Sequence, residues 1–232
     1  MVMISKYSRL WFFAFALLAL CFSCGTSSGI KQPVMLADVE PFSIGSVNAS
    51  FEKMFSSDVA LVDVEVIFYP RKNEVALAFK YGTLQYWQFW DEGGRKQFID
   101  ALSRYKEDFA NQRLITNTNR SRAIYGTAEG RCEWKMLNLS ISATYCSSPV
   151  IGLGYRFVGN SPYFTTFQNE AKEETGLNPT GVSKSNSFTM YFNRAQGEDL
   201  ARLFDQAYLL ELLGGKTSQN SPEASKDVYV EK

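Results

Sequence analysis

The chain contains no histidine. That absence removes the commonest general base near neutral pH and the commonest transition-metal ligand. Ser-His-Asp and Cys-His mechanisms and histidine-based zinc sites are excluded for this chain alone. Carboxylate, lysine or tyrosine chemistry is what remains, and no metal site is expected. Net charge is missing too: 24 lysines and arginines face 24 aspartates and glutamates, with no long run of either sign. A nucleic-acid partner demands a basic face, because phosphate contacts supply most of the affinity. The densest basic spot, Arg120-Ser121-Arg122, reads as a solvated loop, so no nucleic acid is expected. Gly152-Leu153-Gly154 lacks a third glycine and a following helix, which disqualifies it as a phosphate loop. A bulge or close backbone approach fits it better, and no cofactor is expected.

The N-terminus lacks a hydrophobic run of spanning length. Leu10–Phe22 is apolar over 13 residues, whereas a spanning helix needs about 20. A secretory h-region needs about 7–15, after a positive n-region and before small residues. Lys6 and Arg9 supply the charge, and Ser23-Cys24-Gly25 supplies the small residues. A signal peptide over 1–23 is expected, with a short uncleaved anchor as the competing reading. The run Leu20-Cys21-Phe22-Ser23-Cys24 resembles the relaxed lipobox of bacterial lipoproteins, of the kind found in spirochaetes. Ser23 fits the −1 position and Cys24 the acceptor, while Cys21 and Phe22 depart from the usual pattern. Cys21 is the rival acceptor, with the bulky Leu20 at its −1 position. The resemblance implies lipidation of Cys24 by a multi-chain anchor such as palmitate-type acyl groups, and more than one chain makes attachment stable. It places the protein in the cell envelope, lipid-anchored to a bacterial membrane on its periplasmic or surface side.

Residues 24–33 then read as the lipidated cysteine and a flexible tether. Residues 214–232 are polar and read as a disordered tail. The folded part is expected over 34–213, one domain's worth of chain, with halves of about 34–111 and 112–213. Two cysteines fall within it. A bridge between Cys132 and Cys146 would contribute about 3 kcal/mol. A continuous strand over that segment would hold the sulfurs roughly 45 Å apart. The disulfide therefore needs a bend, and two unpaired cysteines are an equal alternative.

Period-two alternation runs through Ala60, Val62, Val64, Val66 and Phe68, then Val75, Leu77, Phe79 and Tyr81, then Thr83–Trp90. Turn chemistry at Pro70–Asn73 and Gly82 separates these runs and predicts a three-stranded meander. Asp91 is placed to cap a helix ending near Asn111, with Phe98, Leu102, Tyr105 and Phe109 on one face. Later strands are predicted over Leu137–Tyr145, Ile151–Phe157, Tyr163–Phe167 and Phe188–Phe192. A closing helix buries Leu200, Leu203, Phe204, Ala207 and Leu210 and stops at Gly214-Gly215. The fold class expected is α+β, mainly antiparallel, built from two strand-meander-then-helix repeats. This order is loosely similar in topology to the sheet-plus-helix repeats of PUR-type and Whirly-type proteins, without any matching motif.

The aromatic run Tyr86-Trp87-Gln88-Phe89-Trp90 is the candidate ligand or partner contact. Alternation sends Trp87 and Phe89 to one face and Tyr86 and Trp90 to the other. Exposed members could stack on sugars or anchor a protein, against the plainer reading that all four are core. Acidic residues at Asp91-Glu92 and at Glu170, Glu173 and Glu174 are the only acid–base candidates. The function expected is a non-catalytic, membrane-tethered binding module for a protein or glycan of the envelope. The alternative is a carboxylate-dependent hydrolase of envelope glycans.

Overall fold

A computed structural model describes residues 35–52, 59–116, 124–137, 143–176 and 184–219, all within the compact unit that spans 34–232. The N-terminal run, Cys24 and the tether lie outside the described residues, as do 220–232. No described helix is long and apolar enough to cross a membrane.

Four strands open the fold: β1 (Phe42–Glu52), β2 (Val59–Tyr69), β3 (Glu74–Tyr81) and β4 (Leu84–Trp90). They form a meander because apolar residues recur at period two and turn residues sit between them. In the β2–β3 turn Asn73 takes the left-handed backbone at φ 50°, and in the β3–β4 turn Gly82 does so at φ 61°. Helix α1 (Glu92–Ala110) follows. Asp91 caps it as its sequence position implies, accepting a hydrogen bond from Gly94 N at 2.6 Å, and Asn111 closes it.

Next come β5 (Gly126–Glu129), β6 (Arg131–Met136), β7 (Tyr145–Ser147), β8 (Val150–Val158), β9 (Ser161–Gln168) and β10 (Phe188–Phe192). Helix α2 (Arg194–Phe204) opens on a full capping box between Asn193 and Gln196, which satisfies two otherwise orphaned N–H groups. Helix α3 (Gln206–Gln219) ends the described chain.

All ten strands belong to one curled, half-barrel sheet in the order β5-β8-β9-β10-β1-β2-β3-β4-β6-β7, and every pairing is antiparallel. The expected α+β arrangement of two meander-then-helix repeats is therefore incorrect. The strands after α1 join the first meander on both of its edges. Strand β6 pairs with β4 through Phe89↔Arg131 and Gln88↔Cys132. Strand β10 pairs with β1 through Ser50↔Tyr191. Neither half keeps a sheet of its own.

One face of this sheet is almost wholly apolar. Register sets Phe51 beside Ala60, Phe68 beside Val75, Phe79 beside Tyr86 and Tyr86 beside Trp134. Helices α1 and α2 close that face. Phe98 of α1 sits at its centre, edge-on to Phe164 at 5.2 Å and to Phe204 at 5.1 Å between ring centroids. Burying such a ring contributes about 1.5–3 kcal/mol. The helices approach closely because α2 carries Gly197, where a Cβ would come within 2.9 Å of Leu102 Cδ1.

Polar groups do enter this interior. Gln88 on β4 donates from Nε2 to Gln168 Oε1 on β9 at 2.9 Å, and Trp90 Nε1 donates to Gln88 Oε1 at 3.2 Å. Arg95 is 1% exposed and directs its guanidinium to neutral oxygens. It donates to Asn73 O at 2.7 Å, Trp90 O at 3.1 Å, Phe204 O at 3.2 Å and Asn73 Oδ1 at 3.0 Å, and also to Gln206 Oε1. One side chain thus fastens the β2–β3 turn, the end of β4 and the α2–α3 junction.

Two sequence expectations need correction, and the alternative left open for the cysteines is resolved. Leu137 is a turn residue, and β7 begins only at Tyr145, so the described ends of the expected 137–145 strand are not in one strand. The strand lies just before it, in β6, where Cys132 and Trp134 face inward and Arg131, Glu133 and Lys135 outward. The single closing helix is two, because Asp205 is extended at ψ 127° and caps the next helix through Tyr208 N at 3.0 Å. That break resets the helical phase, so α3 buries Leu209 and Leu213 while Ala207 and Leu210 are exposed, and it runs through Gly214-Gly215. The bend that a Cys132–Cys146 bridge requires does exist, yet both cysteines are free. Register sets Cys132 opposite Ser147 and Cys146 opposite Glu133, which sends the two thiols to opposite faces of the sheet.

Candidate functional site: the seam pocket

Strand β5 passes into β6 through Gly130 alone, and β7 passes into β8 through Ser148-Pro149. Yet β5 lies at one end of the strand order and β7 at the other. The sheet therefore curls until its two ends meet at this seam, where Gly130 N donates to Pro149 O at 3.2 Å. Glycine keeps this crossing tight: a Cβ on residue 130 would lie 2.6 Å from Ile151 Cδ1, which would have to shift, and 3.3 Å from Phe89 O.

An open pocket of about 420 Å³ sits on the seam, lined by Glu74, Phe89, Asp91 and residues 129–131 and 148–150. Arg131 forms its charged wall. Its guanidinium carbon lies 3.5 Å from the centroid of the Phe89 ring, a cation–π geometry. Its Nη2 donates to Glu74 Oε2 at 2.8 Å, and Nη1 pairs with Glu133. Phe89 is in turn met edge-on by Tyr69 at 5.3 Å. Burial, and next the Glu133 charge, push the Tyr69 phenol above its ordinary value.

A second pocket, also about 420 Å³, adjoins the first through Ser148, Pro149 and Val150 and extends along residues 169–174. Glu174 anchors its wall. Its carboxylate accepts from Ser147 Oγ at 3.2 Å, Ser148 N at 3.3 Å and Ser148 Oγ at 3.1 Å, and Glu174 N donates to Cys146 O at 2.9 Å.

The aromatic run is divided between the two faces. Tyr86 and Trp90 are wholly buried, with the Tyr86 hydroxyl accepting from Asn186 N at 3.0 Å. Burial pushes that hydroxyl far above its ordinary value. Phe89 faces outward but is 4% exposed, roofed by Arg131. Trp87 is half-buried, with Lys135 Nζ 5.2 Å from its ring centroid. The cations of β6 thus cover the outward rings that a sugar would stack on. Among the expected acids, Asp91 serves the helix cap and Glu92 accepts from Asn73 Nδ2 at 3.1 Å. Glu170 and Glu173 join Glu174 in lining the second pocket.

Chemically, this is an arrangement of fixed charge. Glu74 and Asp91 already have partners, and a guanidinium cannot exchange protons near neutrality. No group of three or more metal-ligating side chains occurs among the described residues. Sequence reasoning missed Arg131, Glu74, Glu129 and Val150, although Ser147-Ser148-Pro149 does read as a turn. The charged-apolar alternation of Arg131–Met136 carried the signal for a strand with one charged face.

No curated protein and no solved structure matches the chain. A family model described as "Uncharacterised Treponema protein" matches residues 41–211. That span runs from the residue before β1 into α3, and includes every residue lining the seam pockets. The chain therefore belongs to this family of Treponema proteins.

Proposed function

We propose that the protein is an envelope lipoprotein, tethered through lipid on Cys24, whose folded domain is a non-catalytic binding module. One observation carries the binding reading. The seam is open, yet Arg131, Glu74, Glu133, Asp91 and Glu174 are held by one another or by backbone N–H and hydroxyl groups. Charges fixed in this way present a preorganised surface, which favours recognition of a complementary ligand. The missing histidines support the non-catalytic part. Membership in a Treponema family fits a lipobox of spirochaete type.

Intact mass and membrane partitioning of the full-length protein, beside Cys24→Ala, test the tether. Loss of the first 23 residues, added acyl mass on Cys24 and release of the variant from membranes are expected. An unmodified chain that keeps its N-terminus would refute the lipoprotein reading. A second reading, a carboxylate-dependent glycan hydrolase, is favoured by the three carboxylates Glu74, Asp91 and Glu129 lining one pocket, since glycosidases use a pair. Turnover of cell-wall glycan by the wild type, abolished by Glu74→Gln or Glu129→Gln, would establish it in place of the first.

A further inference from the structure

Resting on the binding-module reading, we infer that the two seam pockets form one groove that takes an extended basic peptide segment of a partner protein. The pockets share Ser148, Pro149 and Val150 and so flank the same turn. On one side of that turn stand Glu74, Asp91 and Glu129; on the other stand Glu170, Glu173 and Glu174. Three cations stand against these six carboxylates: Arg131, Lys172, and Lys184, which pairs with Glu170 at 2.5 Å. The chain as a whole is neutral, so the groove concentrates negative charge that the rest of the surface balances. Clefts of one sign raise the local concentration of oppositely charged ligands.

Where the pockets join, the Val150 side chain is 58% exposed, an apolar step between two acidic stretches. A segment with basic residues flanking an apolar one matches this order of charge, contact and charge. Arg131 adds selectivity. Its fork is engaged by Glu74 and Glu133 and its face by Phe89, so an incoming carboxylate would have to displace those partners. The surrounding acids repel it as well. Like-charge juxtaposition of this kind rejects acidic partners.

The test uses full-length protein in detergent micelles and fluorescence anisotropy with three probes: a short labelled peptide alternating lysine and valine, its glutamate counterpart, and spermine as competitor. The lysine–valine peptide should bind, with affinity falling as salt rises, and the glutamate peptide should not. Glu129→Gln with Glu170→Gln removes two exposed charges outside the core and should weaken binding about tenfold. Val150→Ser should weaken the lysine–valine peptide and leave a lysine–glycine peptide unchanged. Equal affinity for both charge signs, or unchanged affinity in the charge variant, would overturn the groove assignment while leaving a binding module intact. Full displacement by spermine at matched charge would mean a diffuse polycation sink and overturn the peptide assignment. Mass spectrometry of the same mixtures reads the parent proposal separately: a cleaved peptide would refute the non-catalytic reading.

Discussion

Replacing Arg95 with methionine conserves most of the side-chain volume and removes every hydrogen bond that its guanidinium makes. In the folded chain that group serves three backbone carbonyls, Asn73 O, Trp90 O and Phe204 O. Phe204 O belongs to the last residue of α2, where helix carbonyls have no partner within the helix. Leaving a buried acceptor unpaired costs about 1–3 kcal/mol, so three give a gross loss of several kcal/mol. Relief of charge burial opposes this loss. That burial holds the Arg95 guanidinium down to about 10, against 12.5 ordinarily. A net loss of about 3–5 kcal/mol is expected, the cost of the unpaired carbonyls less that relief. For a domain of this size the thermal midpoint should drop by roughly 6–20 °C. Arg95→Lys keeps the charge but not the planar fork, and should recover less than half of the loss. The assay is urea unfolding followed by far-UV circular dichroism and tryptophan fluorescence, with Trp90 reporting the site. An Arg95→Met protein within about 1 kcal/mol of wild type would refute the claim that these carbonyls depend on the guanidinium.

Three further outcomes are expected. Gly130→Ala should destabilise by about 1–3 kcal/mol through overpacking, and Ile151→Val, which removes the clashing Cδ1, should restore part of it in a double-mutant cycle of urea midpoints; additive losses would contradict the seam geometry. Stability should be nearly flat between about pH 6 and 8 because no histidine titrates there, and should fall from about pH 9 upward. Burial pushes the Cys132 thiol up to about 12 from 9.0 and the Tyr105 phenol up to about 12 from 10.0, and raises Tyr86, Tyr125 and Tyr191 further. The folded chain therefore keeps protons that the unfolded chain releases, and each such group costs about 1.4 kcal/mol per pH unit above its unfolded value. Arg95, lowered on folding, works in the opposite sense above about pH 10 but is one group against five. An unchanged urea midpoint between pH 8 and 11 would count against these buried phenols. Finally, thiol labelling read by peptide mass should modify half-buried Cys146 in the folded protein and Cys132 only after unfolding; a mass showing the two joined would contradict their placement on opposite faces.

Local structure was legible in this sequence wherever one signal acted alone. Asp91 before an amphipathic run marked α1 at both ends, and the Pro70–Asn73 and Gly82 turns marked the hairpins, because these depend on neighbours within a few residues. The alternation that divides Tyr86 and Trp90 from Trp87 and Phe89 was readable for the same reason. What failed depends on distant partners. Strand β1 offers serine, asparagine and glycine on its outer face, so its period-two pattern is weak until β2 and β10 flank it. The union of both halves in one sheet follows from β6 reaching β4, which a strand placed over 137–145 could not reveal. The seam was hidden because Ser148-Pro149 reads as an ordinary turn and Gly130 carries no signal of its own. Only the curl of the sheet makes them neighbours and gathers Glu74, Glu129 and Arg131 around a pocket. Arg95 shows the same limit: in sequence it is one more polar residue of a helix's first turn, and its burial follows from Phe204 and Gln206, more than a hundred positions away.

The pairing of β1 with β10 also sets an order of events during synthesis. Ser50 meets Tyr191, so the first strand to emerge waits for nearly the last before its edge is covered. Gln88 waits likewise for Gln168. Until then the meander presents Phe51, Phe68 and Phe79 on an open face, with neither α2 nor β10 to shield them. Contacts so far apart in the chain slow folding, because long loops must close first. A nascent chain in this condition is exposed to aggregation and to holding chaperones for most of its synthesis time. Truncation before residue 188 should therefore yield not half a fold but an insoluble chain.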